Sequence, residues 1–233
     1  MVNMNRLASH YLDNLPHVDV AVMLPHPGEA EFLCGGTIAK LAASGKRVAI
    51  LDLTAGEAGT HTSADIKLDQ ADQAAAALGV LWRGSMRFPD ARLEDTIMSR
   101  MTVTGEVKRL RPQVVIAIHP EDRHPDSLSA SLLVENACFL AGLGRLDEYL
   151  PPHQPQRLVF ASGSVSASPS FIVDVSDYFD RKLAALAAYT TLFADPAEAL
   201  ARAEREARRF GDMIGVRYGE GFVQRQPLCE DLL

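Results

Sequence analysis

The sequence lacks the features that mark several large classes of protein. Nowhere among its 233 residues do about 18 uncharged apolar residues run together, the length that a membrane-spanning helix needs, and the amino terminus has no apolar core of a signal peptide. Basic residues are not in excess either, since the formal net charge is -7 at pH 7. These absences predict a cytoplasmic protein that has neither a membrane nor a nucleic acid as its partner.

Cysteine is scarce, and no internal repeat is visible. Cys34, Cys138 and Cys229 are odd in number, far apart and without a CxxC pair, which is typical of buried thiols in a reducing compartment rather than of a disulfide framework. A hydrophobic fraction of 47% with 23% charged residues is that of a globular protein. We therefore predict one folded domain over residues 18–233, preceded by an N-terminal extension over residues 1–17.

What the chain does contain is an alternation of strand and helix patterns. DVAVML at 19–24 and RVAILDL at 47–53 are short, nearly continuously apolar and rich in β-branched residues, as strands covered on both faces are. Between them GGTIAKLAASGK predicts a helix that Gly45 ends, QVVIAIH at 113–119 predicts a strand, and residues 176–193 predict another helix. The pattern indicates an α/β fold: a single-domain, Rossmann-like, mainly parallel twisted sheet flanked by helices.

The loops that follow three of the predicted strands hold most of the reactive side chains. They contain His26, His61, His119 and His124, four of the seven histidines, together with several carboxylates. Because the carboxyl ends of parallel strands converge at one edge of a sheet, we expect these side chains to meet there. Histidine and carboxylate ligands with a position open for water are what a mononuclear zinc site needs. The alternative is that the His-Pro dipeptides form turns and that the histidines cap backbone groups.

Five ordered blocks of the chain carry a resemblance to a known family. They are HPGEAEFLCGGTIAKLAASGKRVAILDLTAGEAGT, FPDARL, RPQVVIAIHPEDRHPDS, FIVDVSDYFDRKLAALAAYTTLF and IGVRYGEGFVQRQPL. Together they are similar to the PIG-L/LmbE family of zinc-dependent N-deacetylases, and most similar to the branch that includes the bacillithiol-pathway deacetylases. The resemblance implies hydrolysis of the amide of an N-acetylated amino-sugar conjugate. It also implies a homo-oligomer, either a hexamer or its trimeric half.

The first of the family's two motifs is His-Pro-Asp-Asp followed by an acidic residue. Its histidine and second aspartate bind zinc, and its first aspartate is the general base. His26 and Pro27 match, Glu29 replaces the ligand aspartate, and Glu31 matches the acidic residue. Gly28 stands where the base belongs, and glycine has no group that accepts a proton. The resemblance therefore implies a metal site of His26 and Glu29, with Glu31 as the remaining candidate for the base.

The second motif of the family ends His-Pro-Asp-His, and its final histidine is the third zinc ligand. His124 and Asp126 match, so the resemblance implies that His124 stabilises the transition state and that Asp126 orients it. Ser127 stands where the third ligand belongs. Lys67 replaces an arginine of the family, which removes bidentate recognition of an oxyanion. Substrate binding is predicted for Lys67, His61 and Arg123.

These departures leave two functions open. A positioned base is worth roughly 10²- to 10⁴-fold in rate, and two protein ligands are fewer than the three of a catalytic zinc site. We expect zinc binding to be weak or absent and deacetylation to be reduced or lost, unless Glu29 or Glu31 acts as the base and His119 or Asp122 moves toward the metal. The alternative is a catalytically inactive homologue that keeps the cleft for a ligand or for a partner subunit.

Overall fold

The structure, a computed structural model, describes residues 17–60, 62–121, 124–146, 150–163, 168–225 and 227. The predicted N-terminal extension lies almost entirely outside this range, so its boundary at residue 18 stays a prediction. The strands are β1 (Val20–Leu24), β2 (Val48–Thr54), β3 (Trp82–Phe88), β4 (Val114–Ile118), β5 (Arg157–Ala161), β6 (Phe171–Asp174) and β7 (Gly219–Val223). The helices are α1 (Glu29–Ala43), α2 (Ala64–Leu78), α3 (Ile97–Leu110), α4 (Pro125–Ala141), α5 (Phe179–Ala187) and α6 (Pro196–Ile214).

The seven strands of the described residues form one sheet in the order β3-β2-β1-β4-β5-β7-β6. The first five are parallel, and β7 is antiparallel to both β5 and β6. Val20 of β1 pairs with Val48 on one side and with Val114 on the other. The predicted α/β fold with a mainly parallel sheet is confirmed. Because the chain changes direction across the sheet beside β1, the carboxyl ends of β1 and β4 are where this architecture binds ligands.

The core explains the apolar runs of the sequence. Strands β1 and β2 are buried along their whole length, as continuous apolar strands are expected to be. Cys34 and Cys138 are buried free thiols, which confirms the prediction for the two cysteines that lie within the described residues. Among the helices that the structure describes, none combines the length and the apolar character that a bilayer crossing requires.

Strand β3 is a part of the sheet that the sequence pattern does not predict. Its residues WRGSMRF contain two arginines, and the side chain of Arg83 is only 2% exposed. The Arg83 guanidinium donates to both carboxylate oxygens of Asp52 in β2, from Nε at 2.8 Å and from Nη2 at 3.0 Å. A buried strand is normally predicted from its apolar residues, but here an ion pair with the neighbouring strand takes the place of an apolar contact. The two residues of the pair, Arg83 and Asp52, are 31 residues apart in the chain, so a local pattern does not reveal it.

The helix predicted over residues 176–193 is wrong in its extent, because α5 ends at Ala187. Tertiary hydrogen bonds hold the chain beyond that point in a different path. Gln70 Nε2 of α2 donates to the hydroxyl oxygens of Thr190 and Thr191, each at 3.0 Å. Helix propensity is a weak preference that such contacts override, so the segment 188–193 forms a connection instead of continuing the helix.

A buried carboxylate completes helix α1 at an internal break. Cys34 has a non-helical φ of -142°, and the N–H groups of Gly36 and Thr37 beyond it donate to the two carboxylate oxygens of Glu220 at 2.9 and 2.7 Å. Lys182 Nζ also donates to Glu220, at 2.7 Å, and both side chains are nearly inaccessible to solvent. Glu220 therefore caps the second part of α1 and neutralises a buried ammonium.

We expect Glu220→Ala to lower the free energy of unfolding by about 3–5 kcal/mol, because it leaves the Lys182 charge buried without its partner. Urea denaturation followed by circular dichroism measures this loss. The matched control is Glu135→Ala, which removes a half-exposed carboxylate that pairs with Arg225 at 2.7 Å. The control should lose less than about 1 kcal/mol, and equal losses in the two variants would contradict the capping role.

Candidate metal centre

His26 follows β1 at the carboxyl edge of the sheet, and three carboxylates surround its imidazole. Nδ1 lies 2.9 Å from Glu29 Oε1, whereas Nε2 lies 2.9 Å from Asp90 Oδ1 and 3.1 Å from Asp126 Oδ2. Burial by itself lowers the pKa of His26, but the hydrogen bond and charge of Glu29, the charge of Asp90 and the hydrogen bond of Asp126 raise it to about 9. The site therefore strongly favours a cation at this imidazole.

Asp126 is held in place by the loop that follows β3. It lies in the first turn of α4 and is only 2% exposed. Its two carboxylate oxygens accept hydrogen bonds from the backbone N–H groups of Ala91 at 2.8 Å and Leu93 at 3.1 Å. Because these bonds join α4 to the loop after β3, they also bring the neighbouring Asp90 to His26.

Asp90 is held from its other side by the loop that follows β2. Its Oδ2 accepts a hydrogen bond from the N–H of Ala58 at 2.9 Å, and its own N–H donates to Glu57 Oε1 at 2.7 Å. Lys67 is buried and donates to the carbonyl oxygen of Gly56 in the same loop. Burial lowers the pKa of Lys67, against the charges of Asp90 and Glu57. The structure thus places Lys67 against the loop backbone, and its role in substrate binding stays a prediction.

His124 begins α4 and lies against His26. The two ring centroids are 4.6 Å apart with an angle of 70° between the planes, and His124 Nδ1 accepts a hydrogen bond from the N–H of Asp126 at 3.2 Å. One ligand atom each of His26, His124 and Asp126 lies within 4.8 Å of the other two. Two imidazoles and a carboxylate are a donor set of catalytic zinc sites. The residues therefore fit a divalent cation, with three donors in place of the two that the motif comparison implies.

Glu29 contacts Nδ1 of His26, whereas Asp126 of the three-residue group contacts the other ring nitrogen, Nε2. Besides its contact with Nδ1, its carboxylate accepts a longer hydrogen bond of 3.4 Å from the backbone N–H of His26. A carboxylate on one nitrogen of a histidine fixes the tautomer and the ring orientation, so that the other nitrogen can face a metal. The geometry thus indicates that Glu29 orients His26, and its predicted role as a ligand stays untested.

Ser127 and Glu31 are buried away from solvent. Ser127, at the position of the family's third ligand, lies in the first turn of α4, where its N–H donates to the carbonyl oxygen of His124 at 3.0 Å. Glu31 accepts hydrogen bonds from the Arg83 guanidinium and from the Tyr189 hydroxyl, the latter at 3.2 Å. The carboxylate predicted as the base is thus paired within a buried ionic cluster. Its catalytic role stays a prediction that this pairing does not favour.

Gly28 occupies the position of the family's base in a conformation that disfavours a side chain. It is the N-cap of α1 with a left-handed φ of 96°, and a Cβ built on it would lie 2.5 Å from Leu192 Cδ2. An aspartate at this position would therefore meet both backbone strain and the side chain of Leu192. The sequence shows that the base is absent, whereas the structure shows that another side chain fills its space.

Three predicted residues, His61, Asp122 and Arg123, lie outside the described residues. His119 is buried, and its Nδ1 accepts a hydrogen bond from the N–H of Glu121 at 3.3 Å; it is not a member of the three-residue group. The residue that the sequence analysis misses is Asp90. It lies in FPDARL directly after β3, and recognising WRGSMRF as a strand would have placed it at the carboxyl edge of the sheet.

The topology and the histidines and carboxylates at one edge of the sheet define an α/β protein with a candidate metal centre. The chain belongs to the PIG-L family, described as GlcNAc-PI de-N-acetylase, whose model matches residues 21–138. The family inferred from the sequence motifs is therefore confirmed.

Relatives and solved structures agree with this assignment. Over 228 residues the chain is 31% identical to a diacetylchitobiose deacetylase of Thermococcus kodakarensis, covering 89% of this chain and 84% of that protein. The conserved protein TT1542 of Thermus thermophilus is 38% identical with a TM-score of 0.86, covering 91% of this chain and 97% of the other. The N,N'-diacetylchitobiose deacetylase of Pyrococcus horikoshii is 25% identical with a TM-score of 0.80, covering 94% of this chain and 90% of the other.

We expect Gly28→Ala to destabilise the protein more than Gly45→Ala does. Both glycines have a positive φ, 96° and 82°, but a Cβ at Gly45 would meet nothing within 4 Å. Gly45→Ala should therefore cost about 1–2 kcal/mol from backbone strain, and Gly28→Ala roughly 1–3 kcal/mol more from contact with Leu192. Urea denaturation of both variants, and of Gly28→Ala with Leu192→Ala, checks this. If Leu192→Ala recovers none of the stability that Gly28→Ala loses, contact with Leu192 is not what excludes a side chain at position 28.

Proposed function

We propose that the protein is a metal-dependent N-deacetylase that hydrolyses the acetamide of an amino-sugar conjugate, at a rate reduced by its altered site. The observation that carries the proposal is the group of His26, His124 and Asp126, whose ligand atoms lie within 4.8 Å of one another. Family membership supports the reaction, and two of the proteins compared above are named diacetylchitobiose deacetylases. The substrate class is a small sugar that carries an acetylated amine.

A divalent cation, when bound, polarises the acetamide carbonyl and lowers the pKa of water. His26, His124 and Asp126 are the residues that would hold it, and Glu29 orients His26 through Nδ1. Asp90, with Oδ1 2.9 Å from His26 Nε2, is the carboxylate best placed to accept the proton of the attacking water. In this proposal Asp90 takes over part of the role that the family gives to an aspartate at position 28.

The reduced rate follows from how Asp90 is held. Its Oδ2 already accepts a hydrogen bond from the N–H of Ala58 at 2.9 Å. A carboxylate oriented by such a bond is not free to turn toward a water, and a catalytic group has to be held within about 0.5 Å of the productive geometry. A substitute base held in this way should therefore be slower than a base that has only water and substrate as its partners.

A second function is favoured by one observation, the closure of position 28 by Leu192. The 2.5 Å approach of Leu192 Cδ2 to a Cβ at Gly28 fits a homologue that binds an amino-sugar ligand, or a partner subunit, without hydrolysing it. The two functions predict the same metal group and differ in turnover. Metal content and acetate release, measured on the same preparation, therefore separate them.

The test is to load the purified protein with zinc, measure bound metal by mass spectrometry, and follow acetate release from N-acetylglucosaminyl conjugates and diacetylchitobiose. His26→Ala and Asp126→Asn should lose stoichiometric zinc, because each removes one of three donors. Asp90→Asn should keep zinc and lose about 10²-fold or more in rate if Asp90 is the base.

The control is His153→Ala, which removes an imidazole bonded to the carbonyl oxygen of Pro112 at 2.7 Å and should change neither zinc content nor rate. Zinc without any acetate release would favour the binding function. Failure of the wild type to hold zinc would overturn the metal group, and unchanged turnover in Asp90→Asn would remove Asp90 from the mechanism.

We also propose that the chain self-associates, as the family resemblance implies, through one face of α4. Leu128, Leu132 and Phe139 lie on this helix at spacings that bring them to one side, and they are 52%, 41% and 63% exposed. Exposed apolar side chains in a row are typical of a contact surface between proteins. A second copy of the same chain is the partner that the resemblance supplies.

Phe139→Asp should convert the oligomer to smaller species, because it places a charge within the proposed contact. Size-exclusion chromatography with light scattering measures the mass in solution. Met213→Asp is the matched control, since Met213 is also exposed, at 57%, but lies on α6. A wild type that is monomeric, or a mass that both variants lower equally, would contradict the proposal.

A further inference from the structure

A cavity of about 220 Å³ opens beside the metal centre. Gly28 and Glu29 form the end next to His26, so a ligand in the cavity reaches the carboxylate that orients this histidine. The remaining lining residues are mostly apolar and come from α1, the end of β4, and the chain between α5 and α6 with the start of α6: Phe32, Leu33, Ile118, Phe193, Ala199 and Arg202. The mechanism proposed above uses none of these six residues.

Arg202 supplies the only positive charge that lines this cavity within the described chain. Its guanidinium lies 4.5 Å from the centroid of the Phe32 ring, and the side chain is exposed. Arg205, Arg208 and Arg209 of the same helix are engaged in ion pairs with the glutamates of α6. Within the part of the chain that the structure describes, Arg202 has no carboxylate partner, so its charge is available to an acid on a ligand.

The segment between α5 and α6, which supplies Phe193 to the cavity lining, is held in place by several contacts. Tyr189 is 1% exposed and donates its hydroxyl to Glu31 at 3.2 Å, and its ring contacts Phe193 edge to face with centroids 6.4 Å apart. The hydrogen bonds of Gln70 to the two threonines that follow Tyr189 hold the same segment. A wall fixed in this way is formed before a ligand arrives, which removes the cost of ordering it on binding.

We propose that this cavity is a subsite for an apolar group that bears an acid, attached to the amino sugar whose amide lies at the metal centre. A cavity of about 150 Å³ accommodates a benzene ring, so the observed volume admits roughly six to ten non-hydrogen atoms. Phe32 and Phe193 contact the apolar part, and Arg202 pairs with the acid. The inference rests on the proposed function for the location of the sugar.

The acid-bearing group has two possible points of attachment. It is either the aglycone, joined to the anomeric oxygen, or an acyl group longer than acetyl, joined through the amide nitrogen. Both present the same chemistry to the cavity. Two probes distinguish them: 4-carboxyphenyl N-acetyl-β-D-glucosaminide and N-(4-carboxybenzoyl)-D-glucosamine, each compared with its analogue that lacks the carboxylate.

The experiment is isothermal titration calorimetry of each probe with the full-length protein and with two matched variants. At least one carboxylated probe should bind about fivefold more tightly than its uncharged analogue, which is what an exposed ion pair contributes. Arg202→Gln should remove this difference and leave the uncharged probe unchanged. Arg205→Gln, which removes an exposed charge one turn further along α6, should preserve the difference. The probe that shows it identifies the point of attachment.

A variant that fills the cavity tests the apolar part independently. Ala199→Phe should weaken binding of both the charged and the uncharged forms of that probe at least fivefold, with an unfolding midpoint close to that of the wild type. The subsite is overturned if neither carboxylated probe exceeds its analogue, or if Arg202→Gln weakens all probes equally. Because affinity and hydrolysis are measured separately, the expected binding pattern without hydrolysis of any probe would remove the proposed function and leave the subsite in place.

Discussion

Three carboxylates from three segments converge on the imidazole of His26, and the rest of the site depends on how their negative charges are compensated. Glu29 comes from α1, Asp90 from the loop after β3, and Asp126 from α4. Carboxylates this close together repel one another, and a positive charge between them stabilises the arrangement. A proton on the imidazole supplies one charge and a divalent cation supplies two. The same geometry that raises the pKa of His26 to about 9 is therefore a geometry suited to a metal.

The start of α1 belongs to two clusters at once, and this links the metal centre to the neighbouring cavity. On one side His26 and Glu29 face the site, and on the other Glu31 is paired with Arg83 and Tyr189. Tyr189 anchors the segment whose next residues include Leu192, and Leu192 fills the space beside Gly28. The position of the family's base and the segment that carries Phe193 of the cavity are thus in contact through Leu192. An aspartate at position 28 would require the side chain of Leu192 to shift, because Cδ2 of Leu192 lies 2.5 Å from where its Cβ would be.

The fold could be predicted to a large extent because its centre is built from apolar strands that are continuous in the sequence. Strands β1, β2 and β4 are of this kind, and the apolar runs of the sequence predict all three. Edge strand β3 is not predicted, because it buries Arg83 through an ion pair with Asp52, and periodicity of apolar residues cannot reveal a charged residue in the interior. The missed strand also explains the missed site residue, since Asp90 follows it directly. The predicted length of α5 is too great for a similar reason, since hydrogen bonds from Gln70 of α2 hold the residues after α5 in a non-helical path.

The sequence by itself determined the family, the fold class and which of the family's functional positions are changed, because motifs and apolar runs are local patterns. Only the tertiary structure decided which carboxylates meet at His26 and which are used elsewhere. Glu29 and Glu31 are two residues apart, yet one contacts the metal group's histidine and the other is buried against Arg83. Side chains two positions apart on a helix point in nearly opposite directions, and the partner that each one meets comes from a remote part of the chain. The chemistry of this site depends on those partners, so it can be inferred only from the folded structure.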